Sequence, residues 1–399
     1  MREAKPFNPG DGSWAKGQFP PLPIAVFQAL RSALPWQNGD RTQRDLEFIG
    51  PFLLQVEPGQ PPRLWLPTPQ DLVCVSSRTL STEAPGSDPQ ADDDNFDPTA
   101  STWERTARFQ PLDPDNPAWK HFGFAPDFYS PDGLAPLVPP FPVRTHGADS
   151  SHNLNACSLH DTETNQNEGI SVRPQPWIRA DALKCYLAGE VLKNSGSVFH
   201  DNPWTEQVLS HIKVQPGTRQ VESDDGYFTE VAVRLCPHWK LVAALSVDLE
   251  PTVVRLGGEG HRVLVTRLRE FPDWDNLLEF QQPNADLTTA YLLTPGLAET
   301  EEGSGIYSLF PQHWKPYLRS CAGDRPLLWG GMSVYQKPQD DSKNIAFQPQ
   351  RAFVKPGTVY RFKPNHLPQC DRQLLPQQGG NWLKTFQTLN YGTLLWGRS

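Results

Sequence analysis

Apolar positions along this chain follow two rhythms, separated by long stretches that follow neither. Ile24, Phe27, Leu30, Ala33 and Leu34 recur at three- and four-residue steps. That spacing predicts a short helix entered from Pro23, whose ring presets the φ of a first helical turn. Arg31 falls on its polar side. Apolar or alternating runs at 48–56, 72–75, 227–235 and 239–249 predict strands, the last two joined as a hairpin by a short turn. A brief segment, 250–255, is expected as a short helix. It leads into Leu256-Gly-Gly-Glu-Gly-His-Arg262 and then the alternation of Val263, Val265 and Leu268. Three glycines in four positions predict a tight loop feeding a strand, because glycine reaches φ > 0 and lets another backbone approach. Such a loop can present N–H groups to phosphate.

The C-terminal part runs in a regular order. Residues 287–294 predict a strand, 314–321 a helix, and 327–334 a second strand. Residues 344–362 predict a strand or hairpin arm broken at Lys355-Pro-Gly357, 381–389 a helix, and Tyr391-Gly392 a turn into a last short strand. This is a βαββαβ order, the split βαβ motif, with both helices expected on one face of an antiparallel sheet.

Between 38 and 210 regularity is poor. Residues 81–101 hold Asp88, Asp92, Asp93, Asp94 and Asp97 with almost no apolar content, a solvated linker composition. Aromatic residues then return among prolines, and 177–192 reads as a helix. The expected class is α+β: two ferredoxin-like (RRM-like) domains with antiparallel sheets and a long irregular insertion. The first spans 1–270, with the insertion at about 38–210, and the second spans 271–399.

Composition narrows the function. A net charge of −9 over 399 residues excludes a global basic field, so a nucleic-acid surface must be local. From Arg351 onward seven residues are basic and only Asp371 is acidic, which makes this stretch an anion-binding candidate. Lys355 lies within it, Lys337 and Lys343 add to it from just upstream, and Tyr335, Phe347, Phe353 and Tyr360 interleave with these cations. Removing the charges of Arg351 and Lys355 is expected to weaken binding and leave folding intact. Six cysteines without a C-x-x-C pair suit reduced thiols in a cytoplasm. No apolar run approaches the length of a membrane span. His146, His152, Cys157 and His160 have loose spacing for zinc and read as a polar loop. His261, beside the glycine loop, is the one candidate general base. No catalytic residue, metal or cofactor is expected.

Several of these stretches resemble one family in order. They are Arg2-Glu-Ala-Lys-Pro-Phe-Asn8, Phe19-Pro-Pro-Leu-Pro23 with Gln28-Ala-Leu-Arg-Ser-Ala33, Thr218-Arg219 with Gly226-Tyr-Phe228, and the loop 256–262. Tyr291-Leu-Leu-Thr-Pro295, Trp329-Gly-Gly331, Lys355-Pro-Gly-Thr-Val-Tyr360 and the terminal glycine turn follow. Together they resemble the third RAMP subunit of the type III-B CRISPR Cmr effector complex, of the Cas-five-like superfamily. The resemblance implies a non-catalytic subunit that caps the 5′ tag of the guide RNA (crRNA). Its implied partners are the polymerase-like large subunit and the backbone RAMP subunits, with no membrane. Carried over by position, it implies RNA or partner contacts at Arg31, Arg219, Gly257, Gly258, Gly260, His261, Arg262, Lys337, Lys343, Arg351 and Lys355. The loop is expected to lie against guide RNA or the 23–34 helix. The family's apolar first strand would precede Arg2, where only Met1 stands, so an unpaired sheet edge is expected. The alternative is a RAMP-type metal-independent endoribonuclease that processes repeat RNA.

Overall fold

The computed structural model describes residues 14–34, 46–77, 103–112, 134–138, 168–212, 215, 217, 220, 227–257, 260–271, 273–284, 286–301, 303–336, 343–364 and 372–398. It is mostly sheet with few helices and several antiparallel sheets, compatible with the expected α+β class. The N-terminal half runs β1 (Trp14–Lys16), α1 (Pro23–Arg31), β2 (Phe48–Gln55), β3 (Arg63–Pro67), β4 (Leu72–Ser77), β5 (Arg105–Arg108) and β6 (Glu168–Val172). It continues with β7 (Trp177–Arg179), α2 (Ala180–Ala188), β8 (Phe199–His200), β9 (Trp204–Ile212), β10 (Tyr227–Leu235), β11 (Trp239–Leu245), β12 (Thr252–Arg255) and β13 (Arg262–Val265). The C-terminal half holds β14 (Thr289–Leu292), β15 (Leu318–Ala322), β16 (Leu327–Gln336), β17 (Lys343–Phe353), β18 (Val359–Phe362), α3 (Asn381–Thr388) and β19 (Leu394–Gly397).

A five-stranded antiparallel sheet, β8-β7-β3-β2-β11, organises the N-terminal half. Strand alternation sends Phe52, Leu54, Leu64, Leu66 and Ile178 to one face and Leu53, Trp65 and Trp177 to the other. The second face closes on Trp239 in an aromatic cluster. The first meets Leu183, Tyr186 and Leu187 of α2 and, across the chain, Tyr291, Leu293, Val359 and Leu395. The two halves therefore share one core.

In the C-terminal half, β15-β18-β14-β19 form an antiparallel sheet. In order along the chain these are the second, third, first and fourth strands. Their apolar runs are continuous because both faces are covered. Ala290, Leu292, Tyr360, Phe362 and Trp396 pack with Trp314 on one side, and Tyr291, Val359 and Leu395 face α2 on the other.

Several expectations change. The 314–321 helix is a single 3-10 turn, Gln312–Trp314, followed by strand β15. Pro316 explains it, since proline removes the N–H a helix interior needs. Helix α3 directs Phe386 not onto the sheet but into a cluster with Val26 and Phe27 of α1, Phe353 and Tyr391. The pair β16-β17 forms its own two-stranded sheet between the second and third strands. The expected hairpin of 227–249 does not form: β10 pairs with β9 and β1, whereas β11 pairs with β2. Sequence neighbours pair often, not always, and His238, at φ 68°, turns the chain into another sheet. Residues 252–255 are a strand, as β-branched Thr252-Val-Val prefers. The stretch 38–210 is regular where it is described: it supplies β2, β3, β7 and β8 of the main sheet, and 177–179 is a strand before the helix begins. Residues 1–13, on which the first-strand expectation rests, lie outside the described residues. Among the described residues no helix is long and apolar enough to cross a membrane.

Candidate nucleic-acid interface

The glycine loop joins a two-stranded hairpin in which Val253 faces Leu264 and Arg255 faces Arg262. The Leu256 N–H donates to the His261 carbonyl at 3.1 Å and closes the loop. Gly257 and Gly260 have φ of 100° and 80°. A Cβ at either would meet nothing within 4 Å. Glycine is needed here for its backbone angle, and the close internal approach expected of it is not made. Helix α1 leans on β12, and Leu256 joins the cluster around Val26 and Phe27.

Alternation buries Val254 and turns Val253, Arg255, Arg262 and Leu264 outward. Val253 is 56% and Leu264 72% exposed. Both arginines are exposed, and neither has an ion-pair partner among the described residues. Like charges directly opposite on a hairpin oppose its pairing. The sheet thus presents two guanidinium groups side by side, unneutralised among the described residues, with an apolar pair next to them.

Behind the loop, one carboxylate gathers two imidazoles. Glu230 of β10 lies 3.0 Å from His211 Nε2 and 3.1 Å from His261 Nε2. His211 sits on β9 and His261 immediately before β13, so the cluster ties the hairpin to the three-stranded sheet. Glu230 is only 15% exposed at its side chain. The hydrogen bonds are of ordinary length for N–H to carboxylate. Among the described residues no group of three or more His, Cys, Asp or Glu can hold a metal ion. The zinc candidates His146, His152, Cys157 and His160 lie outside the described residues.

The other expected contacts separate. Arg31 ends α1, where a cation suits the helix C-terminus, and its guanidinium lies 5.9 Å from the Phe27 ring centroid. Lys343 opens β17. Arg219, Gly258 and Lys337 lie outside the described residues. Lys355 pairs with Asp324 at 2.6 Å, and that hydrogen bond holds the Asp324 carboxyl below its ordinary range.

Arg351 is not on a solvated face. It is 7% exposed, and its guanidinium sits 5.2, 4.5 and 5.4 Å from the rings of Trp329, Trp382 and Phe386. Burial lowers its pKa, opposed by Tyr307, Glu299 and Tyr391. The expectation that its charge can be removed with folding intact is corrected accordingly. Arg351→Ala is expected to cost about 2 kcal/mol, the scale of a desolvated cation–π contact. Lys355→Ala should cost under ~1 kcal/mol, as for an exposed ion pair. Urea unfolding of the two variants side by side checks the contrast.

Sequence reasoning named Arg262 and His261 but not the cross-strand role of Arg255, nor His211 and Glu230. The alternation at 252–255 was the available signal for Arg255. Nothing local linked Glu230 to either histidine.

The family model for CRISPR-associated protein (Cas_Cmr3) matches residues 1–94 and 126–399. The chain belongs to this family. The Cas_Cmr3 chain is therefore a subunit of a type III CRISPR effector complex. It is similar to a chain in the cryo-EM structure of the type III-B Cmr-beta bound to cognate target RNA and AMPPnP (state 1). The TM-score is 0.39 at 9% identity, over 89% of this chain and 82% of that one. It is also similar to a chain in the type III-B Cmr-beta structure bound to cognate target RNA. There the TM-score is 0.28 at 11% identity, over 48% of this chain and 54% of that one. No curated protein matches the Cas_Cmr3 chain.

Proposed function

We propose that this Cas_Cmr3 chain is a non-catalytic RNA-binding subunit that caps the 5′ tag of the guide RNA. It joins the polymerase-like large subunit to the backbone subunits. Its two halves are ferredoxin-like domains, about 1–270 and 271–399. The antiparallel order β15-β18-β14-β19, with α3 between the last two strands along the chain, supports this for the second half.

The observation that carries the RNA-binding reading is the outward Arg255–Arg262 pair beside the positive-φ glycine loop. In an acidic chain, two opposed arginines with no carboxylate partner among the described residues suit a phosphate backbone, whose charge offsets their repulsion. The Val253–Leu264 pair next to them offers apolar surface to an unstacked base.

Salt dependence tests it. Each phosphate neutralised on a single strand contributes roughly 0.7 to the slope of log affinity against log salt. The Arg255→Ala, Arg262→Ala double variant should lose about 1.4 of that slope for guide RNA and keep its melting temperature, since both side chains are exposed. An unchanged slope moves the RNA surface elsewhere.

Metal-independent cleavage of repeat RNA is the second reading. It is favoured by His261 held by Glu230, an arrangement that orients an imidazole as a general base. Incubating the purified chain with labelled repeat RNA in a chelator decides between the readings. Intact RNA removes the nuclease.

A further inference from the structure

We infer that a second surface of this chain, at the edge of the C-terminal sheet, binds single-stranded RNA. Lys315, Arg319 and Lys363 meet its phosphates there, and Tyr317 stacks on a base. From the reading above the inference takes only RNA as the ligand; the residues and the sheet are others.

The chain enters β15 from the 3-10 turn Gln312–Trp314, and β15 is the outermost strand of β15-β18-β14-β19. Trp314 and Leu318 are buried in the core of this half and anchor the segment. Alternation then turns Tyr317 and Arg319 outward. Tyr317 is 39% exposed. Lys363, just past β18, lies opposite it: its N–H donates to the Tyr317 carbonyl at 2.8 Å. Its Nζ donates to the Pro316 carbonyl, also at 2.8 Å. The ammonium is thereby set against the peptide between Pro316 and Tyr317, next in the chain to Lys315. Ala135 donates its N–H to the Arg319 carbonyl at 3.1 Å, so the backbone is engaged there and the edge offers its side chains.

The charges on this edge are unneutralised among the described residues. A carbonyl partner leaves the Lys363 charge whole, and neither Lys315, Arg319 nor Lys363 has an ion-pair partner there. Asp71 and Asp324 are taken by Arg361 and Lys355. Asp286, three residues before β14, pairs with none of the three. Like charges gathered on one edge repel, and a polyanion offsets that repulsion. A chain of net charge −9 keeps few such places. Cations alone would suit a carboxylate-bearing protein surface equally well. The exposed ring among them decides for nucleic acid, because an aromatic face beside a phosphate track is what an unstacked base meets. A duplex keeps its bases stacked inside, so the ring selects a single strand.

The experiment measures binding of the full chain to a labelled single-stranded RNA at several salt concentrations. The Lys315→Ala, Arg319→Ala, Lys363→Ala variant should lose about 2 from the slope of log affinity against log salt, at roughly 0.7 per phosphate. Its melting temperature should match wild type, since no ion pair is lost. Tyr317→Ala should bind at least about fivefold more weakly with the slope unchanged, the low end of one stacked base. Tyr317→Phe keeps the ring and should bind as the wild type does. A wild-type slope in the triple variant overturns the inference and leaves this edge to an acidic protein surface. Equal affinity of Tyr317→Ala and Tyr317→Phe overturns the stacking. The Arg255→Ala, Arg262→Ala variant separates the two sites. If its slope falls and that of the triple variant does not, the hairpin reading stands and this one is lost. If only the triple variant changes, the hairpin reading is lost and this one stands.

Discussion

Asp71→Ala is expected to destabilise the protein by about 3–5 kcal/mol, the cost of leaving a buried charge without its partner. Asp71 is fully buried just before β4. Its Oδ2 accepts from Arg361 Nη2 at 2.9 Å, and its Oδ1 accepts from the Tyr186 hydroxyl at 2.8 Å. Burial first, then the charge of Asp71, holds the Tyr186 hydroxyl well above its ordinary range, so it stays a donor. Arg108 lies over the Tyr186 ring at 3.9 Å and donates to the carbonyls of Tyr186 and Arg398. The carboxylate thus joins α2 to β18, and Arg108 links β5 and the end of β19 to the same tyrosine. Without it Arg361 keeps its charge inside the core, and its Nε already lacks a partner. The midpoint of urea unfolding measures the loss. An Asp71→Ala midpoint equal to wild type would mean that water reaches Arg361 and that the two halves are not held together there.

Gly392→Ala should cost about 2–5 kcal/mol, combining a left-handed backbone with an overpacked contact. Gly392 has φ 69°, and a Cβ would stand 2.4 Å from the Leu374 carbonyl oxygen and 2.7 Å from its C and N atoms. Those atoms cannot yield as a side chain would. Leu374 donates its N–H to the Gly392 carbonyl at 2.7 Å, and Gly392 donates to the Pro295 carbonyl at 2.8 Å. Gly257→Ala is the control, since it meets an unfavourable φ and empty space. Its cost should stay near the backbone component, about 1–2 kcal/mol. Thermal unfolding of the pair compares them. Similar losses would show that angle alone sets the requirement at Gly392.

The two glycine turns show how far local pattern reaches. Both were legible as turns, because glycine clusters ahead of apolar runs punctuate a chain. Which of them touches its surroundings was not legible. Gly257 and Gly260 face open space, and the 391–392 turn is wedged between Pro295 and Leu374. The basic stretch behaved in the same way. Lys355 is half-exposed beside Asp324, whereas Arg351 lies under three aromatic rings contributed by β16 and α3.

The sequence by itself determined the elements whose cause is local. Pro23 and a three-and-four spacing suffice for α1, apolar or alternating runs for β2, β4, β10 and β11, and glycine for the positive-φ positions 257 and 260. The motifs from Arg2 to Gly392 also carried the family, because they persist in order whatever the folding between them. Tertiary structure alone decided which strands pair. The choice between β10 joining β11 or β9 turns on the buried faces of partners far away in the chain. It decided, too, which polar groups meet. Asp71 and Arg361 stand 290 residues apart, and Glu230 gathers histidines from a neighbouring strand and from the loop. Pairing energies between such groups depend on distance and burial in the folded state, and neither is encoded in the spacing of residues along the chain.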